Sequence, residues 1–303
     1  VAQLDLNSIE QQYIKPWYKN SNVHQYTTDK STDQFLIYYT SLNTNDFEKI
    51  PNLAKHFSRF KELLINRNVR TGQVSISDYE NFVLGKSNID YVMIKSTFQS
   101  GNYFAVSYAR DQDIFERPKI VCPQRSYRNT FAYNDIPWYG ASDLYYINSK
   151  SDSIVDLKVL LIILNSQLIY KWLYNKGQRK GEMLQLFKDP LSNIPLIDLD
   201  SLKCKKQLSL LSDAMILSNS SQKLKTMVDS FILELYFPEH MKEREINVLE
   251  FMERDINQVL QGQEFESLSE SEKEKVINQL QVTWSHPDNE VRNRMKLFAV
   301  RSP

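Results

Sequence analysis

The amino-acid sequence predicts an α+β fold, in which a domain built on a mixed sheet is followed by a helical region. Short runs rich in β-branched and aromatic residues, separated by Asn, Asp, Gly and Pro, indicate strands between residues 67 and 147. After residue 196 the apolar side chains recur at steps of three and four, which indicates helices. The predicted domains are therefore 1–196 and 197–303.

The N-terminal part predicts one strand and one helix. Phe35–Tyr39 has the length and the aromatic content of a strand. From Pro51 the apolar residues fall at helical spacing, which predicts an amphipathic helix of about four turns. The polar face of this helix is basic, with Lys55, Arg59 and Lys61. Its apolar positions are Leu53, Phe57, Phe60, Leu63 and Leu64.

A series of short strands is predicted next, followed by a buried helix. The predicted strands are Tyr91–Ile94, Tyr103–Ser107, Lys119–Cys122, Asn129–Tyr133 and Leu144–Ile147. The most apolar stretch, Val155–Leu173, is interrupted by charged and amide residues. It is therefore predicted as a helix buried against the sheet, and not as a membrane span. A basic turn at residues 175–181 follows it.

The helical region contains two apolar seams that resemble those of coiled coils. They are separated by a polar break at Ser218–Gln222, so that a helical hairpin or one long interrupted helix would fit. The first seam has Leu208, Leu211 and Met215, and the second has Leu224, Val228, Phe231 and Leu235. Further helical stretches are expected in residues 240–303.

Composition and charge limit the classes of function. The chain has 303 residues, 42% of them hydrophobic, and only 7 glycines, which leaves few loops that could cradle a phosphate. Cys122 and Cys204 lack any Cys or His at metal-ligand spacing, which favours a reducing cytoplasm over disulfides or zinc. Residues 1–232 hold 28 basic and 23 acidic side chains, and residues 233–303 hold 9 and 14. Nucleic acid would therefore be bound by a local surface, and the tail is acidic.

Known catalytic signatures are missing from the sequence. The Asn/Asp-Pro-Pro-Tyr loop of adenine methyltransferases is absent, and residues 134–139 are only a poor approximation to it. Asp156 and Lys158 have the spacing of the carboxylate and lysine of a magnesium nuclease. Asp156 is more simply explained as a residue that complements the dipole at the beginning of a helix. We expect the chain not to be catalytic alone.

Three stretches of the sequence occur together: Ile14–Val23 with Tyr26; Pro51–Arg67 followed by Arg117–Ile120; and Leu160–Gln167 followed by the basic turn and Ile194–Leu196. In this order they resemble the C-terminal specificity region of type IIG, TaqI-like restriction-modification enzymes. The resemblance covers residues 15–240, and a later helical segment, Val228–Tyr236, is also similar. Phe237-Pro238 replaces a glycine that often occurs in the family.

The resemblance implies that this chain selects a DNA sequence and that the catalytic domains are absent from it. The parent enzyme would be a site-specific adenine DNA methyltransferase and type II endonuclease, using S-adenosylmethionine and Mg²⁺. No cofactor is expected in this chain. The implied partners are double-stranded DNA and the methyltransferase and nuclease domains of the same polypeptide.

Two segments offer the cations and amides that duplex recognition requires, because cations hold phosphates and amides or arginines read bases. We expect them to line one concave, positive surface. A weaker candidate is the basic helix face, and the alternative for all of them is an ordinary solvated surface. The predicted DNA-binding residues are Lys119, Gln124, Arg125, Tyr127, Arg128 and Asn129 in the first segment, Lys176, Arg179 and Lys180 in the second, and Lys55 and Arg59 on the helix.

Other interpretations of the sequence stay open. The two apolar seams and the acidic tail could dock a protein partner, with the basic loops incidental. Asp156 and Lys158 could instead form an independent magnesium nuclease. Trp17, Trp138 and Tyr139 could wedge beside DNA, although aromatic residues more often form a core.

Overall fold

The computed structural model describes residues 4–40, 43, 48–61, 63, 64, 67, 104–106, 109–150, 153–218 and 221–301. It confirms the α+β class, because small sheets, one of them mixed, are combined with many helices. The elements up to residue 148 are α1 (Ser8–Gln11), β1 (Ile14–Tyr18), β2 (Tyr26–Thr27), β3 (Phe35–Ile37), α2 (Pro51–Ser58), α3 (Asp113–Glu116), β4 (Lys119–Pro123), β5 (Arg125–Ser126), β6 (Ala132–Asn134), β7 (Tyr139–Gly140) and β8 (Leu144–Asn148). The later elements are α4 (Ile154–Leu164), α5 (Gln167–Lys176), β9 (Gln178–Lys180), β10 (Met183–Gln185), α6 (Lys188–Ser192), α7 (Lys205–Leu217), α8 (Gln222–Tyr236), α9 (Pro238–Glu243), α10 (Leu249–Leu260), α11 (Glu270–Thr283) and α12 (Glu290–Arg301).

The chain forms two compact units, and each is made of segments that are not contiguous in sequence. Unit 1 consists of residues 1–18, 31–115 and 137–139, and unit 2 consists of residues 19–30, 116–136 and 140–303. The predicted boundary at residue 196 does not separate them. The reason is that α7, beyond that boundary, packs along α4, so that the helical region shares one core with the preceding strands and helices.

Unit 1 is organised around β1 and an aromatic core. β1 pairs antiparallel with β3, and its sheet has the order β3–β1–β7. Tyr18 and Trp138 are buried and stack with ring centroids 4.5 Å apart. Tyr139 is buried as well, so Trp138 and Tyr139 are core residues and not wedges beside DNA. The predicted strand at 91–94 lies outside the described residues, and residues 104–106 of the strand predicted at 103–107 are not in a strand.

The basic helix of unit 1 begins at Pro51, as predicted, but its first continuous stretch ends at Ser58. A turn at Arg59–Phe60 then precedes further helical residues. The buried carboxylate of Glu10 caps this helix by accepting from the backbone N–H groups of Asn52 and Leu53 at 2.6 and 2.9 Å. These bonds satisfy donors that a helix N-terminus otherwise leaves without a partner.

The sheet of unit 2 has the order β2–β6–β4–β8 and is mixed, since β2 runs parallel to β6 and the other pairs are antiparallel. Its central strand β4 is buried along its whole length. The strands predicted at Lys119–Cys122 and Leu144–Ile147 are confirmed. The strand predicted at Asn129–Tyr133 is shifted towards the C-terminus, because it begins at Ala132.

The apolar stretch at residues 155–173 is two helices, and the prediction of one helix is wrong. α4 ends at Leu164, and the Ser166 side chain begins α5 by accepting from the backbone N–H of Ile169. Between them, the buried Asn165 side chain bonds the backbone of Phe131. The first helix ends here because the Asn165 side chain bonds to Phe131 and the Ser166 side chain caps the next helix, although the apolar pattern continues on both sides.

The helical region completes the core of unit 2. α7 and α8 are separate helices on either side of the predicted polar break. The acidic remainder forms α9–α12, and buried residues such as Met252, Leu280 and Trp284 join the same core as α4 and α7. Within the described residues, no helix combines the length and the apolar character needed to cross a membrane.

Candidate nucleic-acid interface

The two segments predicted to contact DNA meet in one three-stranded antiparallel sheet of unit 2, here called the small sheet. Its order is β5–β10–β9, so β10 joins a strand of the first segment to a strand of the second. β9 and β10 form a hairpin in which Lys180 is opposite Met183, which leaves Gly181 and Glu182 as the turn. Gly181 has a φ of +62°, where a glycine avoids the strain of a side chain.

The register of the small sheet determines which side chains share a face. Arg125 is opposite Gln185, and Gln185 is opposite Gln178, so these three lie in a row across the strands. Side chains alternate along a strand, and the neighbouring residue Leu184 therefore points to the other face. Leu184 is only 1% exposed and belongs to the core of unit 2. The row with Arg125 is consequently on the outer face.

The outer face combines cations and amides. Lys180 is two residues from Gln178 and shares its face, and both are exposed. The Arg125 guanidinium lies 5.9 Å from the ring centroid of Phe187, and it forms no ion pair within the described part of the chain. Its N–H donors are thus available to an external acceptor such as a base or a phosphate.

The short loop after β5 extends this exposed surface. Tyr127 and Arg128 are at its tip, and Tyr127 is 69% exposed. The base of the loop is fixed by a hydrogen bond of 2.8 Å between the Ser126 and Thr130 hydroxyls. Gln25 Nε2 also donates to the Asn129 carbonyl at 2.8 Å. Two large side chains are therefore presented by a well-anchored turn.

Arg179 is exposed but lies on the face opposite to Arg125. It is directly across from Leu184, and its guanidinium carbon is 4.1 Å from the ring centroid of Tyr174 on α5. This geometry is a cation–π contact. The expectation that Arg179 shares one surface with Arg125 and Lys180 is corrected, because alternation along β9 separates it from Lys180.

Gly177 explains how the chain leaves α5 to enter β9. A Cβ at this position would approach the Leu173 carbonyl oxygen to 2.5 Å, so no side chain fits without displacing the backbone. Close packing against Leu173 therefore accounts for the glycine at this position. Lys176, immediately before it, is exposed at the end of the helix.

Lys119 is a buried residue of β4, and the prediction that it contacts DNA is corrected. It is 0% exposed, and its Nζ donates to the carbonyl oxygens of Arg117 and Ile136 at 3.1 and 2.7 Å. Burial lowers the pKa of Lys119 to about 8, against the opposing effect of the Asp135 and Glu116 charges. Its donors are used inside unit 2.

Asn129 is buried too, and the same correction applies. Its Nδ2 donates to the carbonyl oxygens of Leu164 and Ser166 at 2.7 and 2.9 Å. This places Asn129 beside Asn165, so that the two asparagines join the segment between β5 and β6 to the junction of α4 and α5. The segment around Asn165, which carried part of the family resemblance, therefore has a structural role.

The other predicted residues have separate positions. Gln124 is half-buried, and its Nε2 donates to the Ser142 carbonyl at 3.2 Å. Lys55 and Arg59 are exposed in unit 1, on and just after α2. The small sheet thus brings Arg125 and Lys180 together and does not include Lys55 or Arg59.

Sequence reasoning missed Gln178 and Gln185 as candidates. The sequence predicts a turn at residues 175–181 and no strand that contains Gln185. A Gly-X pair between two short alternating runs is a hairpin signal, and Gly181-Glu182 provides one. Pairing the runs around it would have placed the two glutamines opposite each other.

The carboxylate and lysine of the nuclease alternative have structural partners. Asp156 is in the first turn of α4 after the Ser153 cap, and it accepts from Lys205 Nζ at 2.9 Å. Lys158 Nζ instead bonds Asp213 at 2.7 Å, with both side chains largely buried. Among the residues that the structure describes, no three His, Cys, Asp or Glu side chains are grouped to hold a metal ion. The residues that the structure describes therefore do not fit the Mg²⁺ of the implied nuclease.

Comparison with known proteins defines the class of the chain. The model of the TaqI-like C-terminal specificity domain matches residues 8–196. The chain therefore belongs to this family of specificity domains. It is also 24% identical over 162 residues to the type II methyltransferase M.HincII of Haemophilus influenzae. That match covers 50% of this chain and 32% of the relative, so the chain corresponds to about a third of the relative's length.

Proposed function

We propose that this chain recognises a particular sequence in duplex DNA as the specificity part of a type IIG restriction enzyme that is also an adenine-N6 DNA methyltransferase. The methyltransferase and nuclease domains would lie elsewhere on the same polypeptide and would hold S-adenosylmethionine and Mg²⁺. The enzyme would act in the cytoplasm. The observation that carries the proposal is the outer face of the small sheet, where Arg125 and Lys180 from distant segments lie on one surface.

This surface offers both kinds of contact that a specific complex needs. Phosphate contacts fix the register of the protein on the duplex, and base contacts provide the specificity. Arg128 at the loop tip and Lys176 at the end of α5 are exposed cations suited to phosphates. The amides and the guanidinium of the sheet itself are suited to base edges in the major groove.

The interaction-module alternative is weakened by the position of the apolar seams. Leu208, Leu211 and Met215 of α7 are buried in the core of unit 2, as are Leu224 and the other fully buried members of the α8 seam. A seam already covered by its own chain is not available to a partner helix. The basic surface of the small sheet has no such covering contact among the described residues.

The test is a fluorescence-anisotropy titration of this chain with duplex DNA at several salt concentrations. The logarithm of affinity should fall linearly with the logarithm of salt, because phosphate neutralisation releases counterions. The double variant Arg125→Ala/Arg128→Ala should lose sequence preference while it stays folded, and its salt slope should be less steep by about 1–2.

The matched control removes the same charge elsewhere in unit 2. Lys275 on α11 and Lys296 on α12 are both exposed. We expect Lys275→Ala/Lys296→Ala to keep the sequence preference and most of the salt dependence of the affinity. Equal effects of the two double variants, or binding of the wild-type chain that does not respond to salt, would contradict the proposal.

A further inference from the structure

The outer face of the small sheet contains two amides that no contact within unit 2 explains. Gln178 and Gln185 are directly opposite each other in the β9–β10 hairpin. Neither side-chain amide makes a hydrogen bond within the part of the chain that the structure describes, in contrast to Asn129 and Asn165, whose amides bond to the backbone. Arg125 continues the row on the third strand.

The chemistry of this row matches the edges of purine bases. A glutamine amide presents one donor and one acceptor side by side, which is the complement of adenine N7 and N6. An arginine guanidinium presents two parallel donors, which is the complement of guanine O6 and N7.

The dimensions of the row also agree with a duplex. Adjacent strands are about 4.8 Å apart, so three side chains across the sheet span about 10 Å. That length corresponds to about three base-pair steps of about 3.4 Å each. The major groove, about 12 Å wide, admits a two-stranded ribbon of the kind that β9 and β10 form. The two-residue turn keeps the ribbon narrow at its tip.

We propose that Gln178, Gln185 and Arg125 are the specificity-determining residues of this chain, and that they read neighbouring base pairs with the two glutamines on adenines and the arginine on a guanine. This inference rests on the proposed function and names the part of the target that the small sheet reads. Arg179 lies on the opposite face of the hairpin, where its guanidinium packs on the Tyr174 ring, and it is assigned no base contact.

The test is selection of a randomised duplex library by the wild-type chain, followed by sequencing. The preferred site should contain adenine and guanine pairs within about three consecutive steps. Competition titrations then compare the preferred duplex with single-base changes for Gln178→Met, Gln185→Met and Arg125→Met. Methionine keeps much of the length of each side chain and removes its directional hydrogen bonds.

Each variant should lose about 5- to 100-fold of discrimination at one base pair while the others keep their preference. The control is Arg179→Met, on the opposite face of the same hairpin, which should keep the discrimination at every base pair. Thermal unfolding of every variant separates these effects from loss of folding. A uniform decrease for the three outer-face variants, or unchanged discrimination at every position, overturns the inference and leaves the proposed function standing. A wild-type chain without any sequence preference overturns the proposed function itself.

Discussion

Lys119 and Arg125 come from one basic stretch of sequence, but Lys119 is buried and Arg125 is exposed. Lys119 belongs to β4, the central strand of the mixed sheet of unit 2, and both of its hydrogen bonds are made to backbone carbonyls inside that unit. Arg125 belongs to β5 at the edge of the small sheet, and it is exposed. The same comparison applies to Asn129, which is buried, and to Gln178, which is exposed.

The difference teaches that strand neighbours, and not residue type, decide which polar groups can meet a ligand. β4 has a strand on each side and helices over it, whereas β5 has one neighbour and is only two residues long. Buried polar groups must find partners within the protein, because an unsatisfied one costs about 1–3 kcal/mol. Polar groups on an open face have no such requirement.

The largest expected effect is the loss of stability when a buried polar side chain is removed. Asn165→Ala should destabilise the chain by about 3 kcal/mol, because the backbone N–H and C=O of Phe131 lose their side-chain partner inside the core. Chemical denaturation measures the change in the free energy of unfolding. Asn175→Ala is the matched control, since Asn175 is exposed and makes one bond to the Lys171 carbonyl. A similar loss of stability in both variants would show that the buried hydrogen bonds stabilise the chain no more than the exposed one does.

A second expected effect is the pH dependence that Lys119 gives to stability. The folded-state pKa of Lys119 is lowered to about 8 from 10.5, so between these pH values the unfolded chain binds more protons than the folded chain. The free energy of unfolding should therefore rise with pH across this range, by about 3 kcal/mol from this group alone.

Lys119→Met isolates that contribution. Denaturation curves from pH 7.5 to 10.5 should show a flatter profile for the variant than for the wild type. Lys180→Met, which changes an exposed lysine of the small sheet, serves as the comparison and should leave the profile as it is. Parallel profiles for wild type and Lys119→Met would mean that the buried lysine does not contribute in this way.

The smallest expected effect is the change in DNA affinity when an exposed charge of the small sheet is removed. Glu182 is an exposed acid in the turn of the β9–β10 hairpin, close in sequence to Lys180. Glu182→Gln should raise duplex affinity by about 2- to 5-fold at low salt and by less at high salt, because a charge that repels phosphate is removed. Glu274→Gln on α11 controls for net charge. If both variants tighten binding equally, the hairpin tip is not near the phosphates.

The sequence allowed the fold class, the strands β4 and β8, and the break between α7 and α8 to be predicted, because each depends on local pattern. It did not reveal the end of α4 at Asn165, since the apolar residues on both sides hide the cap. It also did not distinguish Lys119 from Arg125. The burial of Lys119 depends on the distant Ile136 carbonyl, and the exposed row of Arg125 depends on pairing with residues 178–185.

The interleaving of the two units limits how the chain can be divided. The backbone passes between them at residues 18/19, 30/31, 115/116, 136/137 and 139/140. A truncation at any one peptide bond therefore cannot release either unit intact. A recombinant protein that keeps only unit 2 would need linkers in place of residues 31–115 and 137–139, which belong to unit 1. Exchange of specificity between relatives is therefore better attempted by replacing individual strands than by swapping terminal fragments.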